Sequence, residues 1–200
     1  PVADAQSVTT GEDTSLGITL TGSDPDGNTL TYSVVALPAH GTLSGTAPNL
    51  TYTPAANYNG ADSFTFKVND GLADSAPATV SITVNPVNDA PVANPQPVTT
   101  QQDTPVAIAL TGSDVDGDAL TYAVTSGPAH GALSGTAPSL TYTPAPGYSG
   151  ADSFAFTAND GTDASAPATV SITITPAVTG PKLYLGSSTS GTAGGIAFAD

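Results

Sequence analysis

Two hundred residues with 38% hydrophobic content suffice for two small cores, and 17 acidic residues against two lysines and no arginine leave a net charge of -15 at pH 7. That balance excludes nucleic acid, which needs cationic side chains to displace counterions, and adsorption to an anionic membrane, while favouring solubility and cation binding. Cysteine is absent, which removes disulfides, metal-thiolate sites and thiol nucleophiles, and no apolar run reaches the roughly 18 residues of a membrane span.

In chain order, apolar residues alternate with Thr and Ser at Leu16, Ile18 and Leu20, then at Leu30, Tyr32 and Val34. Leu50 and Tyr52 follow, then Phe64, Phe66 and Val68, then Val80, Ile82 and Val84. Each run is bounded by Gly, Pro, Asn or Asp, as half-buried strands require, and no stretch has a helical period. The same five runs return at Val106 to Leu110, Leu120 to Val124, Leu140 to Tyr142, Phe154 to Ala158 and Val170 to Ile174. Six or seven short strands in about 85 residues predict an all-β fold, two tandem Greek-key β-sandwiches of immunoglobulin type. Tyr58 and Tyr148 precede the Phe-x-Phe strands, where a tyrosine corner would tie loop to sheet.

The repeat itself is regular. Residues 1–86 align on 91–176 without a gap and are identical at 57 of 86 positions. The expected units are a first repeat over 1–87, a second over 88–176, and a segment of different character over 177–200. The linker Asn85-Pro-Val-Asn88-Asp89-Ala-Pro91 is stiffened by proline; its counterpart after the second repeat keeps two prolines and lacks the Asn88-Asp89 pair. Without a methionine, the chain reads as a processed product or a piece of something longer. The tail has two readings, the truncated opening of another domain or a strand for homopolymeric assembly through residues 182–200, with Leu183, Tyr184 and Leu185 as first contacts.

The ordered motifs Asp-x-Asp-Gly-Asn/Asp-x-Leu-Thr-Tyr, Pro-Ala-His-Gly, Thr-Tyr-Thr-Pro, Tyr-x-Gly-Ala-Asp-Ser-Phe, Asn-Asp-Gly and Pro-Val-Asn-Asp-Ala-Pro-Val resemble the bacterial Ig-like and cadherin-like repeats of large secreted or surface adhesins. The resemblance covers residues 1–176. It implies a β-sandwich repeated many times in an extracellular or cell-surface bacterial protein, with neighbouring repeats of the same chain as partners and calcium at the junctions.

Calcium takes six to eight oxygens, at about 2.3–2.6 Å, from carboxylates, amides and carbonyls. Asp24, Asp26 and Asn28 stand on alternate residues of a glycine-containing turn, as do Asp114, Asp116 and Asp118. This is no EF-hand, because glycine stands fourth rather than sixth and no Glu stands at position twelve. In an Ig-type topology Asp114, Asp116 and Asp118 are expected near Asn159, Asp160 and the linker pair Asn88-Asp89, with Asn69 and Asp70 the equivalents in the first repeat. Glu12, Asp13 and Asp62 are expected at the far end of the first repeat, facing the same junction. The layout is similar to a cadherin junction, whose base acid, second acid, Asn-Asp linker and Asp-x-Asp loop share cations. The competing reading is that Asp-x-Asp-Gly and Asn-Asp-Gly are turn formers whose side chains bond local amides.

His40 and His130 lie in equivalent Pro-Ala-His-Gly segments, but duplicated histidines without a glycine elbow around a serine do not make a triad. Lys67 as an isopeptide donor is disfavoured because its copy is Thr157, and Asn49-Leu-Thr51 is too short a pattern to mark glycosylation. The chain reads as a non-enzymatic, calcium-rigidified spacer of a bacterial adhesin. Two alternatives stand beside it: a subunit of a self-assembling extracellular filament or surface layer, and accessory domains of a secreted hydrolase.

Overall fold

Alternation of Phe64, Phe66 and Val68 with Ser63, Thr65 and Lys67 dictates a strand with one dry face, and the computed structural model, which describes residues 1–178, shows it. The chain divides into two compact units, the first ending at Asn88 and the second beginning at Asp89. In the first unit the strands are β1 (Val2–Ala3), β2 (Gln6–Gly11), β3 (Leu16–Thr19), β4 (Gly22–Ser23), β5 (Thr31–Ala36), β6 (Gly41–Thr46), β7 (Asn49–Pro54), β8 (Gly60–Asn69) and β9 (Ala78–Asn85). They form a four-stranded sheet in the order β2-β9-β8-β5, a three-stranded sheet β3-β7-β6, and the short pair β1-β4. β2 runs parallel to β9; every other pairing is antiparallel.

The core lies between the two sheets. Phe64, Phe66, Val80, Ile82 and Val84 of the larger sheet meet Ile18, Leu50 and Tyr52 of the smaller. Phe64 and Phe66 are fully enclosed, and burying side chains of this size contributes about 1.5–3 kcal/mol each. Gly41 is required by the packing, since a Cβ there would enter the ring of Tyr52 and lie 2.7 Å from the Thr53 carbonyl.

The second unit has the same plan. Its strands are β10 (Val92–Ala93), β11 (Gln96–Gln101), β12 (Val106–Ala109), β13 (Gly112–Ser113), β14 (Thr121–Ser126), β15 (Gly131–Thr136), β16 (Ser139–Pro144), β17 (Gly150–Asn159) and β18 (Ala168–Thr175). The sheets are β11-β18-β17-β14 and β12-β16-β15, around Ile108, Leu140, Tyr142, Phe154, Phe156, Val170 and Ile172. Each unit thus has nine strands rather than six or seven. Beyond the five runs read in the sequence, each unit adds a two-residue pair, the Gln6–Gly11 or Gln96–Gln101 strand, and the Gly41–Thr46 or Gly131–Thr136 strand, whose Gly, Ser and Thr content hides the alternation. Among the described residues no helix is long and apolar enough to cross a membrane. The tail contacts expected at Leu183, Tyr184 and Leu185 lie outside the described residues.

Candidate cation site and the buried carboxylates

The loop from β13 to β14 is built around one aspartate. Asp114 Oδ1 accepts the amides of Asp116 at 2.9 Å and Asp118 at 3.2 Å, and Gly117 takes a φ of 83° that turns the chain back. Asp116 Oδ2 in turn accepts the Asp89 amide at 2.8 Å, so one linker residue is fastened to the loop. The result brings oxygens of Asp114, Asp116 and Asp118 within 4.8 Å of one another. Asp114 Oδ2 is buried with no hydrogen-bond partner. Burial of an unpaired carboxylate oxygen is costly unless something positive meets it. The donor set consists of hard oxygens on a glycine turn, which suits calcium or magnesium and not a soft metal.

In the first unit Asp24 Oδ1 accepts the amides of Asp26 at 2.9 Å and Asn28 at 3.2 Å. Burial opposes ionisation of Asp24, but the Asn28 and Asp26 amides hold the carboxyl below its usual range. Asn28 occupies the place of Asp118, so this loop carries one carboxylate fewer.

The Asn-Asp-Gly turns use much of their oxygen locally. Asn69 Oδ1 accepts the Gly71 amide, and Asp70 Oδ1 accepts those of Leu72 and Ala73, which lowers the Asp70 pKa. Asn159 and Asp160 repeat these bonds to Gly161, Thr162 and Asp163. For Asn69 and Asn159 the turn-forming reading therefore accounts for the side-chain oxygen.

Glu12, Asp13 and Asp62 are not a single acidic group. Asp13 sits at a φ of 57°, and its Oδ1 accepts the Asn57 amide at 3.1 Å. Glu12 is only 2% exposed; Oε1 accepts the Val87 amide at 2.8 Å, and Oε2 is buried without a partner. Its copy is Gln102, whose Oε1 accepts the Ala177 amide at 3.2 Å. Charge is therefore lost at Gln102 together with the loss of the Asn-Asp pair that follows the first unit.

Asp62 has a different job from the one its charge suggests. Oδ1 accepts the amides of Ala39 at 2.9 Å and Ser63 at 2.8 Å, while Oδ2 accepts the His40 amide at 3.0 Å and the Tyr52 hydroxyl at 2.8 Å. Four donors saturate it, which leaves no lone pair of good geometry for a metal. Burial opposes its ionisation, but the Tyr52 hydroxyl and the three amides prevail and lower its pKa; burial and the Asp62 charge raise that of Tyr52. Asp152 and Tyr142 repeat the arrangement at 2.7 Å. The signal lay in strand phase, since Asp62 shares the inward parity of Phe64, Phe66 and Val68.

His40 stacks on Tyr58 at a centroid distance of 4.2 Å, and His130 on Tyr148 at 4.1 Å. Among the described residues no hydrogen bond joins either imidazole to a serine. Tyr58 does tie its loop to the sheet, but its hydroxyl donates forward to the Ala61 carbonyl at 2.7 Å rather than back along the chain. Lys67 pairs with Asp74 at 2.5 Å on the surface.

A family model described as bacterial Ig domain matches residues 1–83 and again 88–173. Integrin beta-like protein A of Dictyostelium discoideum is 34% identical over 139 residues, and integrin beta-like protein B of the same organism is 33% identical over 114. The matches involve 59% and 48% of this chain, which spans only 7% and 6% of the lengths of those relatives. Among solved structures, mouse cadherin-23 EC22-24 is similar over 85% of this chain and 63% of its own, with a TM-score of 0.51 and 16% identity. That likeness concerns the fold alone. Two successive model matches in register with the two sandwiches establish that the chain belongs to the bacterial Ig domain family.

Proposed function

We propose that this chain is a non-catalytic spacer segment of a bacterial extracellular adhesin, and that calcium bound by the Asp114-Asp116-Asp118 loop stiffens the junction between repeats. The observation that carries the reading is the approach of three carboxylates to within 4.8 Å of one another, together with a buried, unpartnered oxygen on Asp114. Of the two lysines, Lys67 is engaged by Asp74, and the other, Lys182, lies outside the described residues. Asp114, Asp116 and Asp118 would supply carboxylate oxygens, and water and main-chain carbonyls the remainder. Bound calcium would cancel the repulsion within the loop and hold the Asp89 amide contact to Asp116.

A role for Glu12 and Asn88-Asp89 in the same junction is supported by sequence, because both features are replaced together after the second repeat. Calorimetry of the 200-residue chain in chelator and in calcium tests the proposal. With a dissociation constant of about 0.1 mM, calcium at about 10 mM adds roughly 2.7 kcal/mol per site to the folded state, and the melting temperature rises. Asp114→Asn with Asp116→Asn should abolish that rise. An identical melting temperature in both buffers would sink the metal assignment.

A further inference from the structure

Open sheets end in strands whose outer N–H and C=O groups lack partners, and stable proteins blunt such edges with charge, proline, glycine, shortness or a covering side chain. In the first unit the outermost strands are β2 and β5 of one sheet and β3 and β6 of the other. Three of these are blunted. β3 has four residues, and β6 contains Gly41 and Gly45, the latter at a φ of 91°. Alongside β2, Gln6 Nε2 reaches across to the Thr19 carbonyl at 3.0 Å and the Thr21 hydroxyl at 3.3 Å. β5 is six residues of Thr-Tyr-Ser-Val-Val-Ala, without charge, glycine or proline.

The ladder phase shows which groups β5 offers. Ser63 N–H goes to Asp62 Oδ1, and Val68 N–H to the Ser75 hydroxyl beyond the β9 side, so even-numbered residues of β8 bond towards β9 and odd-numbered ones towards β5. Lys67 and Asn69 therefore bond Ser33 and Thr31, and Tyr32 and Val34 direct N–H and C=O to the open side. The bulge in this pairing begins only after Val34. Outside the ladder, Val35 is 53% and Leu37 73% exposed; their copies in the second unit are Thr125 and Gly127.

We propose that the outer edge of β5 is a strand-addition surface whose partner is β5 of a second copy of this chain, paired antiparallel about Ser33. The edge is self-complementary in that register. Tyr32 falls opposite Val34 and Thr31 opposite Val35, aromatic and β-branched pairs that favour sheet formation, and the interface closes on a two-fold axis. Exposed apolar side chains, Val35 and Leu37, set this edge apart from its copy in the second unit, and charge does not oppose pairing there. β5 contains none of the 17 acidic residues, so two copies meet there without setting carboxylate against carboxylate. The overall charge of -15 still repels at a distance, so pairing strengthens as salt screens it.

Sedimentation of the 200-residue chain in chelator, from about 0.02 to about 0.5 M sodium chloride, reads the pairing. The weight-average mass should climb from the 19.5 kDa monomer towards twice that value as salt and protein concentration rise. Val35→Lys puts a charge on an exposed position of the edge and should hold the chain monomeric with its melting temperature unchanged. Leu72→Lys, at a loop residue 92% exposed, should dimerise like the parent. A monomer under every condition, a Val35→Lys variant that still dimerises, or equal loss in Leu72→Lys would each overturn the proposal.

Discussion

Removing the Asp62 carboxylate is the sharpest test of what holds each sandwich together. Asp62→Ala strands four donors at once: the Tyr52 hydroxyl and the amides of Ala39, His40 and Ser63. The Tyr52 bond is wholly buried and charge-assisted, and its loss costs about 1.5–3 kcal/mol. Ala39 and His40 are exposed residues whose amides water can re-solvate, so they and Ser63 add roughly 0.5–1 kcal/mol each. The sum is about 4 kcal/mol, most of what a domain of this size holds. Tyr52→Phe should cost about 2 kcal/mol, because only one bond is lost. Since the folded Asp62 carboxyl lies below its ordinary 3.8, its stabilisation is present above that pH and disappears as pH falls through the folded value. Hydrogen exchange read by mass spectrometry over denaturant and pH separates the units: Asp62→Ala should weaken the first unit alone, and Asp152→Ala the second. A loss under about 1 kcal/mol for Asp62→Ala, or an undiminished acid sensitivity of the first unit in that variant, would refute the reasoning.

Two further outcomes follow from single contacts. Gly41→Ala places a methyl into the Tyr52 ring and against the Thr53 carbonyl, so denaturant melts should show a loss of about 1–3 kcal/mol even though the helix-free backbone there needs no unusual φ. Glu12→Gln should leave the first unit no less stable. In chelator the change relieves a buried, unpartnered carboxylate oxygen and leaves the melting temperature equal or higher, as Gln102 accomplishes in the second unit.

Much of the sandwich was legible because strands with one dry face write their phase directly: Leu50 and Tyr52, Phe64 to Val68 and Val80 to Val84 are all buried on the expected parity. The Gly41–Thr46 strand was not, because Leu43 is its one large apolar residue and its partner Tyr52 supplies the bulk that Gly41 lacks. The Asp114 cluster was legible because its geometry is local, set by alternate residues around Gly117. Asp62 was misplaced when read by charge, and its inward parity shows why: a carboxylate in a core-facing position must be satisfied by the protein. Glu12 held a second signal in its replacement by Gln102, visible only when the two ends of the repeat are compared residue by residue.

Asp62 and Asp152 are the only acidic residues within the described strands, and the lone pairs of both are taken up by hydrogen-bond donors. All other described acidic residues lie outside the strands. The chain therefore separates two kinds of surface: carboxylates in loops, and strand edges without acidic residues. That separation makes the two proposals independently testable. Sodium chloride screens the field without replacing a hard divalent ion in a three-carboxylate loop, so it should promote β5 pairing while leaving the calcium-dependent rise in melting temperature to calcium. Neutralising the loop by Asp114→Asn with Asp116→Asn should do the reverse, removing the calcium response and leaving salt-dependent association, which runs through Tyr32 and Val34, intact.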